Sequence, residues 1–245
     1  MQVFTMEIIP VIDLIQGQVV HARFGNRQDY QAIASQLCSS SEPIAVIEAL
    51  LELYPFSTIY IADIDAILGN DADFEQIVTL AERFQNITFW VDCGIKQMNH
   101  RALHYQQNIR PVIGSENMPN LTSYKAVSYG CASRHVLSLD FKNEAALGTT
   151  ELFDTAKYWP DDVICMTLNR VGSNTGADLT QIHALQQLNA ARKIPSRLFA
   201  AGGVRNIADC HTLKSQGLNG VLIASALHQK QITTADLTDF YRHIL

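Results

Sequence analysis

Eight short apolar runs punctuate the chain, and between them the hydrophobic positions fall into a helical rhythm. The runs are Ile8–Leu14, Thr58–Ile64, Ile87–Val91, Pro111–Gly114, His135–Asp140, Val163–Leu168, Arg197–Ala201 and Gly220–Ile223. They are continuous rather than alternating, as expected of parallel strands covered on both faces. Pro43–Leu53 opens on proline and is made largely of good helix formers. Phe74, Ile77, Val78, Ala81 and Phe84 recur at three- and four-residue steps, which predicts a second amphipathic helix. Asn206, Asp209 and Gly217 read as an N-cap, an acidic first turn and a C-terminal glycine of a third.

Strands alternating with helices predict an α/β protein with a parallel sheet. The second half of the chain echoes the first. The runs ending in Asp13 and Asp140 each close on a carboxylate, and two glycine-led pairs recur. One joins Gly94 to Gly114-Ser115, the other Gly202-Gly203 to Ala224-Ser225. Eight units with a twofold echo predict a (β/α)8 TIM barrel built as two half-barrels, with residues 1–245 forming a single domain. An open dinucleotide-binding sheet is disfavoured, because no Gly-x-Gly-x-x-Gly follows the first run. The stretch between the first two runs is long, which predicts an extended loop over the active-site face.

Composition narrows the function classes. A chain of 245 residues with 47% hydrophobic residues can bury one large core. The net charge of −6, without a basic block, argues against nucleic-acid binding. Glu7 and Asp13 interrupt the first apolar run and no basic segment precedes it, so neither a signal peptide nor a membrane span is expected. Five cysteines without a Cys-x-x-Cys pair read as free thiols of a reducing cytoplasm. Eight histidines form no ligand-spaced pair, so neither a metal nor another cofactor is expected.

In a barrel the loops at the C-terminal strand ends build the active site. Asp13 and Asp140 end the first and fifth runs, on opposite sides of an eight-stranded ring. Two carboxylates in unlike environments supply cofactor-free acid–base chemistry, one neutral as acid and one ionised as base. Gly202-Gly203 leaves a strand and enters the helix begun at Asn206, where backbone N–H groups and a helix N-terminus suit an anion. Ala224-Ser225 follows the last strand and belongs to the same predicted phosphate site. Gly172 and Ser173 begin a Gly/Asn-rich loop after the sixth run, which reads either as a closure over the opposite end of a ligand or as a flexible connection. The ligand expected is a small phosphorylated metabolite.

The ordered series Ile8–Leu14, Gly17-Gln18-Val19-Val20, Gly25-Asn26, Asp63-Ile64-Asp65, Gly94-Ile95, Ile113-Gly114-Ser115, Leu139-Asp140 and Ala201–Val204 resembles the histidine-biosynthesis barrels. These are the ProFAR isomerase (HisA) and the imidazole glycerol phosphate synthase cyclase (HisF). The opening Pro-Val-Ile-Asp-Leu is more similar to the isomerase. The resemblance implies a TIM barrel whose paired aspartates catalyse an Amadori rearrangement of an aminoaldose to an aminoketose. The substrate would carry two phosphates across the barrel mouth. By position Asp13 would be the general base and Asp140 the general acid. Departures from the family pattern are Met166 for a hydroxyl residue, Val171 for a carboxylate, Asp92 beside the first phosphate loop, and Ala224 for glycine. They leave two alternatives open. One is a paralogue acting on a different phosphosugar, as in the HisA-like barrels associated with one-carbon metabolism. The other is a phosphate-ligand-binding barrel without turnover.

Overall fold

The computed structural model describes residues 6–22, 26, 28, 30–70, 74–97, 102–131, 134–173 and 175–242. The strands are β1 (Glu7–Ile15), β2 (Gln18–His21), β3 (Gln31–Ala32), β4 (Thr58–Asp63), β5 (Thr88–Asp92), β6 (Ile109–Gly114), β7 (Val136–Lys142), β8 (Ala145–Leu147), β9 (Asp162–Thr167), β10 (Arg197–Ala201) and β11 (Gly220–Ile223). The helices are α1 (Pro43–Leu53), α2 (Ile64–Leu68), α3 (Phe74–Arg83), α4 (Gly94–Gln97), α5 (Ala102–Tyr105), α6 (Leu121–Gly130), α7 (Glu151–Asp154), α8 (Leu179–Ala190), α9 (Ile207–Ser215), α10 (Ser225–His228) and α11 (Thr234–Arg242).

Eight strands pair in parallel in the order β1, β4, β5, β6, β7, β9, β10, β11. β11 then returns to β1, Glu7 facing Gly220 and Pro10 facing Ile223, so the sheet closes into a (β/α)8 barrel. All eight apolar runs are barrel strands, each displaced by no more than a residue or two from its expected bounds. Alternation along each strand divides the core. Ile9, Tyr60, Trp90, Val136 and Phe199 fill the barrel, with the Trp90 and Phe199 rings edge-on at 4.8 Å. Ile8, Ile59, Ile61, Phe89 and Val163 point outward to the helices. Because both faces are dry, the strands carry no polar alternation.

Three strands stand outside this pattern. β2 folds back antiparallel on β1, with Asp13 facing Val20, and β3 adds to β2. β8 folds back on β7 in the same way, with Asp140 facing Leu147. Both hairpins turn through two residues with positive φ, Gln16 (49°) and Gly17 (73°) in one, Asn143 (50°) and Glu144 (66°) in the other. Two successive left-handed residues give the turn whose twist matches its flanking strands. The internal repeat therefore extends beyond the barrel strands: each aspartate sits at the base of its own hairpin. The β1 hairpin and β3 account for the long first loop.

The N-terminal end of the barrel is closed by a charged plug. Asp162, buried at the start of β9, pairs with Arg110 and Arg197 at 2.6 Å each. Arg110 also lies over Trp90 and Arg197 over Phe199. The helices follow local rules. Pro43 stands in the first turn of α1, and the Asn206 side chain accepts from the Asp209 N–H to start α9. Asp63 caps α2 by accepting from Ala66 N–H. Among the described residues no helix is long and apolar enough to cross a membrane.

Candidate active site

The C-terminal strand ends surround a cavity of about 220 Å³. Asp13 and Asp140 both line it. β1 and β7 are separated by three strands whichever way round the ring one counts, so the two carboxylates approach one space from opposite walls.

Asp140 is buried and held from several sides. The Ser138 hydroxyl donates to its Oδ1 at 2.6 Å, while the Ser115 hydroxyl and Glu116 N–H donate to its Oδ2 at 3.1 and 3.0 Å. Burial, with the Glu116 charge nearby, nevertheless pushes its carboxyl up to about 6, against those hydrogen bonds. Asp13 is only half-buried and sits beside the β2 hairpin. The two carboxylates thus occupy unlike environments.

The cavity holds acids that the sequence reading did not assign to catalysis. Asp92 at the end of β5 and Glu116 after β6 line the same wall. Tyr60, fully buried, donates its hydroxyl toward Asp92 Oδ2 at 3.5 Å. Its phenol is held well above the usual range, first by burial and then by Asp92, Asp140, Asp13 and Glu116. Lys142 is the one cation among the described lining residues. A carboxylate ending a strand was the available signal for Asp92. For Glu116 and Tyr60 no sequence signal existed, because only barrel closure brings them to this wall. Among the described residues no group of three or more His, Cys, Asp or Glu is arranged to hold a metal.

The predicted phosphate residues separate into two sets. Gly172, Gly202, Gly203, Ala224 and Ser225 line the cavity. Gly202 (φ 100°) and Gly203 (φ 86°) have left-handed backbones, and a Cβ at Gly203 would lie 2.2 Å from the Gly176 carbonyl oxygen. Only glycine fits there. Gly94, Gly114, Ser115 and Ser173 are absent from the lining. Gly94 N–H points to Asp92 Oδ1 at 3.2 Å, and Gly114 gives room to Asp92 and Asp140. Ser173 bonds back to the Arg170 carbonyl.

At the start of the loop after β9, Gly172 lines the cavity. Gly176 N–H donates to the Gly203 carbonyl at 2.9 Å, so Gly176 packs beside the β10 turn. The cause is the adjacency of β9 and β10 in the ring. Met166 and Val171 line the cavity and make that wall apolar.

Residues 7–233 match the model of a family described as histidine biosynthesis protein. A protein of Methanocaldococcus jannaschii described as uncharacterized is 31% identical over 91% of this chain and 94% of its own length. A Listeria welshimeri protein is 27% identical over 97% of this chain and 99% of its own. A Bacillus cereus protein is 22% identical over 96% and 98%. The last two are named 1-(5-phosphoribosyl)-5-((5-phosphoribosylamino)methylideneamino) imidazole-4-carboxamide isomerase.

Proposed function

The chain belongs to the histidine biosynthesis protein family, and from that premise we propose that its barrel mouth isomerises a phosphorylated aminoaldose to an aminoketose, with Asp13 and Asp140 as the acid–base pair. The observation that carries this reading is that two aspartates from equivalent strands line one cavity, Asp140 buried and Asp13 half-buried.

The chemistry needs a proton donor for the ring oxygen and an acceptor at C2. Asp140, near pH 6, protonates the ring oxygen while the amine lone pair expels it from C1, leaving an iminium ion. Asp13, at the wetter wall, takes the C2 proton and gives the enolamine. Tautomerisation places the carbonyl at C2. No redox partner is needed, since C1 is reduced as C2 is oxidised within one molecule. The substrate's phosphate is assigned to the Gly202-Gly203 and Ala224-Ser225 turns, which line the cavity, the first of them leading into the start of α9.

Complementation of a strain lacking the isomerase named in the relatives tests the reading. Growth that disappears with Asp13→Asn supports it. Failure of a folded, well-expressed chain excludes that substrate. The same chemistry on another phosphosugar then becomes the reading to test. A second reading, a binding barrel without turnover, draws on the apolar Met166–Val171 wall. Retention of both aspartates opposes it.

A further inference from the structure

Each aspartate of the mouth lies at the base of a hairpin, and each hairpin reaches past the parallel ladder that holds its strand. Leu14 facing Asp63 is the last parallel pair of β1 with β4, and Phe141 facing Thr167 is the last of β7 with β9. The tips beyond them, Gln16-Gly17 and Asn143-Glu144, have left-handed backbones. Three of these four residues carry a side chain. For them that conformation is strained, and it persists only where the surroundings hold it.

Both tips are held, and in the same way. Gln16 N–H donates to Asp65 Oδ2 at 2.6 Å, and Asn143 N–H donates to Asn169 Oδ1 at 3.3 Å. Gln76 Nε2 donates to the Gly17 carbonyl at 3.0 Å, and Gln181 Nε2 donates to the Glu144 carbonyl at 3.4 Å. The partners are equivalent by position as well as by chemistry. Asp65 is the second residue of α2, and Asn169 is the second of the 3-10 turn Leu168–Arg170, the elements that follow β4 and β9. Gln76 and Gln181 are each the third residue of the next helix, α3 and α8. They stand 26 to 59 residues from the tips they hold, so only the folded ring makes these contacts.

We propose that Asp65 with Gln76, and Asn169 with Gln181, are positioning residues: each pair pins the tip of one hairpin and thereby fixes the carboxylate at its base, Asp13 in the first and Asp140 in the second. A hairpin tethered only at its root can pivot there, and the root pairs are Asp13 with Val20 and Asp140 with Leu147. Holding the tip removes that freedom, and misplacing a reacting group by about 1 Å can cost about 10²-fold in rate. The need is greatest at β8, which among the described strands pairs only with β7, whereas β2 is backed by β3. The second clamp is also longer and has a neutral acceptor, so the β7 hairpin is the more easily loosened. The inference rests on the proposed function for the chemistry of the two aspartates and adds the residues that hold them.

Hydrogen exchange at the hairpin amides, and titration of Asp140 followed by NMR of its carboxyl carbon, test this on the wild type, Asp65→Ala, Asp65→Asn, Asn169→Ala and Asn169→Asp. Asp65→Ala should raise exchange over residues 13–20 about tenfold or more and leave residues 140–147 within about threefold. Asn169→Ala should do the reverse. Asp65→Asn and Asn169→Asp keep an acceptor and should hold wild-type exchange within about threefold. Burial and the Glu116 charge hold Asp140 near 6; in Asn169→Ala it should titrate closer to the ordinary 3.8 as water reaches it, and in Asp65→Ala it should stay in place. Exchange that rises in both hairpins alike or in neither overturns the proposal. So does an Asp140 titration that Asn169→Ala leaves unmoved, or an exchange effect that the acceptor-keeping variants share. Where the wild type isomerises ProFAR, both alanine variants should lose about tenfold or more in kcat with KM within about threefold, and an unchanged kcat overturns the proposal too. Exchange and titration need no substrate, so a wild type inert toward ProFAR counts against the proposed function alone, and the clamps stand or fall on the other two measurements.

Discussion

Asp140→Asn should stabilise the protein at neutral pH while abolishing proton transfer. In the fold this carboxyl titrates at about 6 rather than the ordinary 3.8, because burial and the Glu116 charge disfavour ionisation. The folded state therefore holds the proton more tightly than the unfolded chain. Between pH 4 and 6 it binds more protons than the unfolded state, so this group's contribution to stability falls as pH rises through that window. Above pH 6 the full penalty is present, about 3 kcal/mol for that difference. Asparagine is never ionised and escapes it. Its oxygen can still accept from Ser115 and Glu116, and the Ser138 hydroxyl can rotate to accept from the amide, at a cost of about 1 kcal/mol for altered pairing. The net expectation is a gain of about 1–3 kcal/mol at pH 7 and almost none at pH 4. Urea denaturation of both proteins at pH 4, 5, 6 and 7 measures the difference directly. A variant less stable than the wild type at pH 7, or a difference that does not change with pH, would refute the argument. Once a substrate is in hand, the same variant should lose roughly 10²–10⁴-fold in rate.

Three further outcomes follow from other parts of the molecule. Gly220→Ala sets a Cβ 2.4 Å from Phe199 Cδ1 inside the barrel floor, and should cost about 1–3 kcal/mol in chemical denaturation; an unchanged midpoint would show that the floor yields freely. Asp162→Asn removes the charge that compensates Arg110 and Arg197; since Arg197 is half-exposed, a loss of about 3 kcal/mol, the low end for a broken buried pair, is expected from thermal unfolding. His135 and His228 are held near 4 by burial, with further lowering from Arg110 and His21 respectively. Below pH 6.5 the unfolded chain takes up protons these rings refuse, so they make stability fall as pH drops towards 4, and His135→Gln should flatten that slope. A variant with the wild-type slope would contradict it.

Much of the barrel is written in local sequence because its strands are dry on both faces. That condition turns each into an uninterrupted apolar run, and Thr58–Asp63, buried at every position, is the clearest case. The helix starts at Pro43 and Asn206 are equally local, since a cap needs only its own neighbours. The paired aspartates were legible for a related reason: each ends such a run and recurs in the other half. The hairpins β1–β2 and β7–β8 were not. Their added strands are short and partly exposed, and the second turns through Asn143-Glu144 rather than through a glycine. Sequence symmetry also presented two equivalent glycine-led loop pairs at the mouth. Which backbone N–H groups of the first pair serve the chain's own carboxylates depended on where Asp92 and Asp140 lay once β5, β6 and β7 stood side by side. A hydrogen bond from Gly94 to Asp92 is local, but the crowding of Asp92 and Asp140 over Gly114 belongs to the closed ring. The sequence by itself determined the eight barrel strands, the helix starts at Pro43 and Asn206 and the matched aspartates, through burial and capping within each segment. Only the tertiary structure decided that Asp92, Glu116 and Tyr60 share one wall with Asp140, because ring closure brings together side chains that chain order keeps apart.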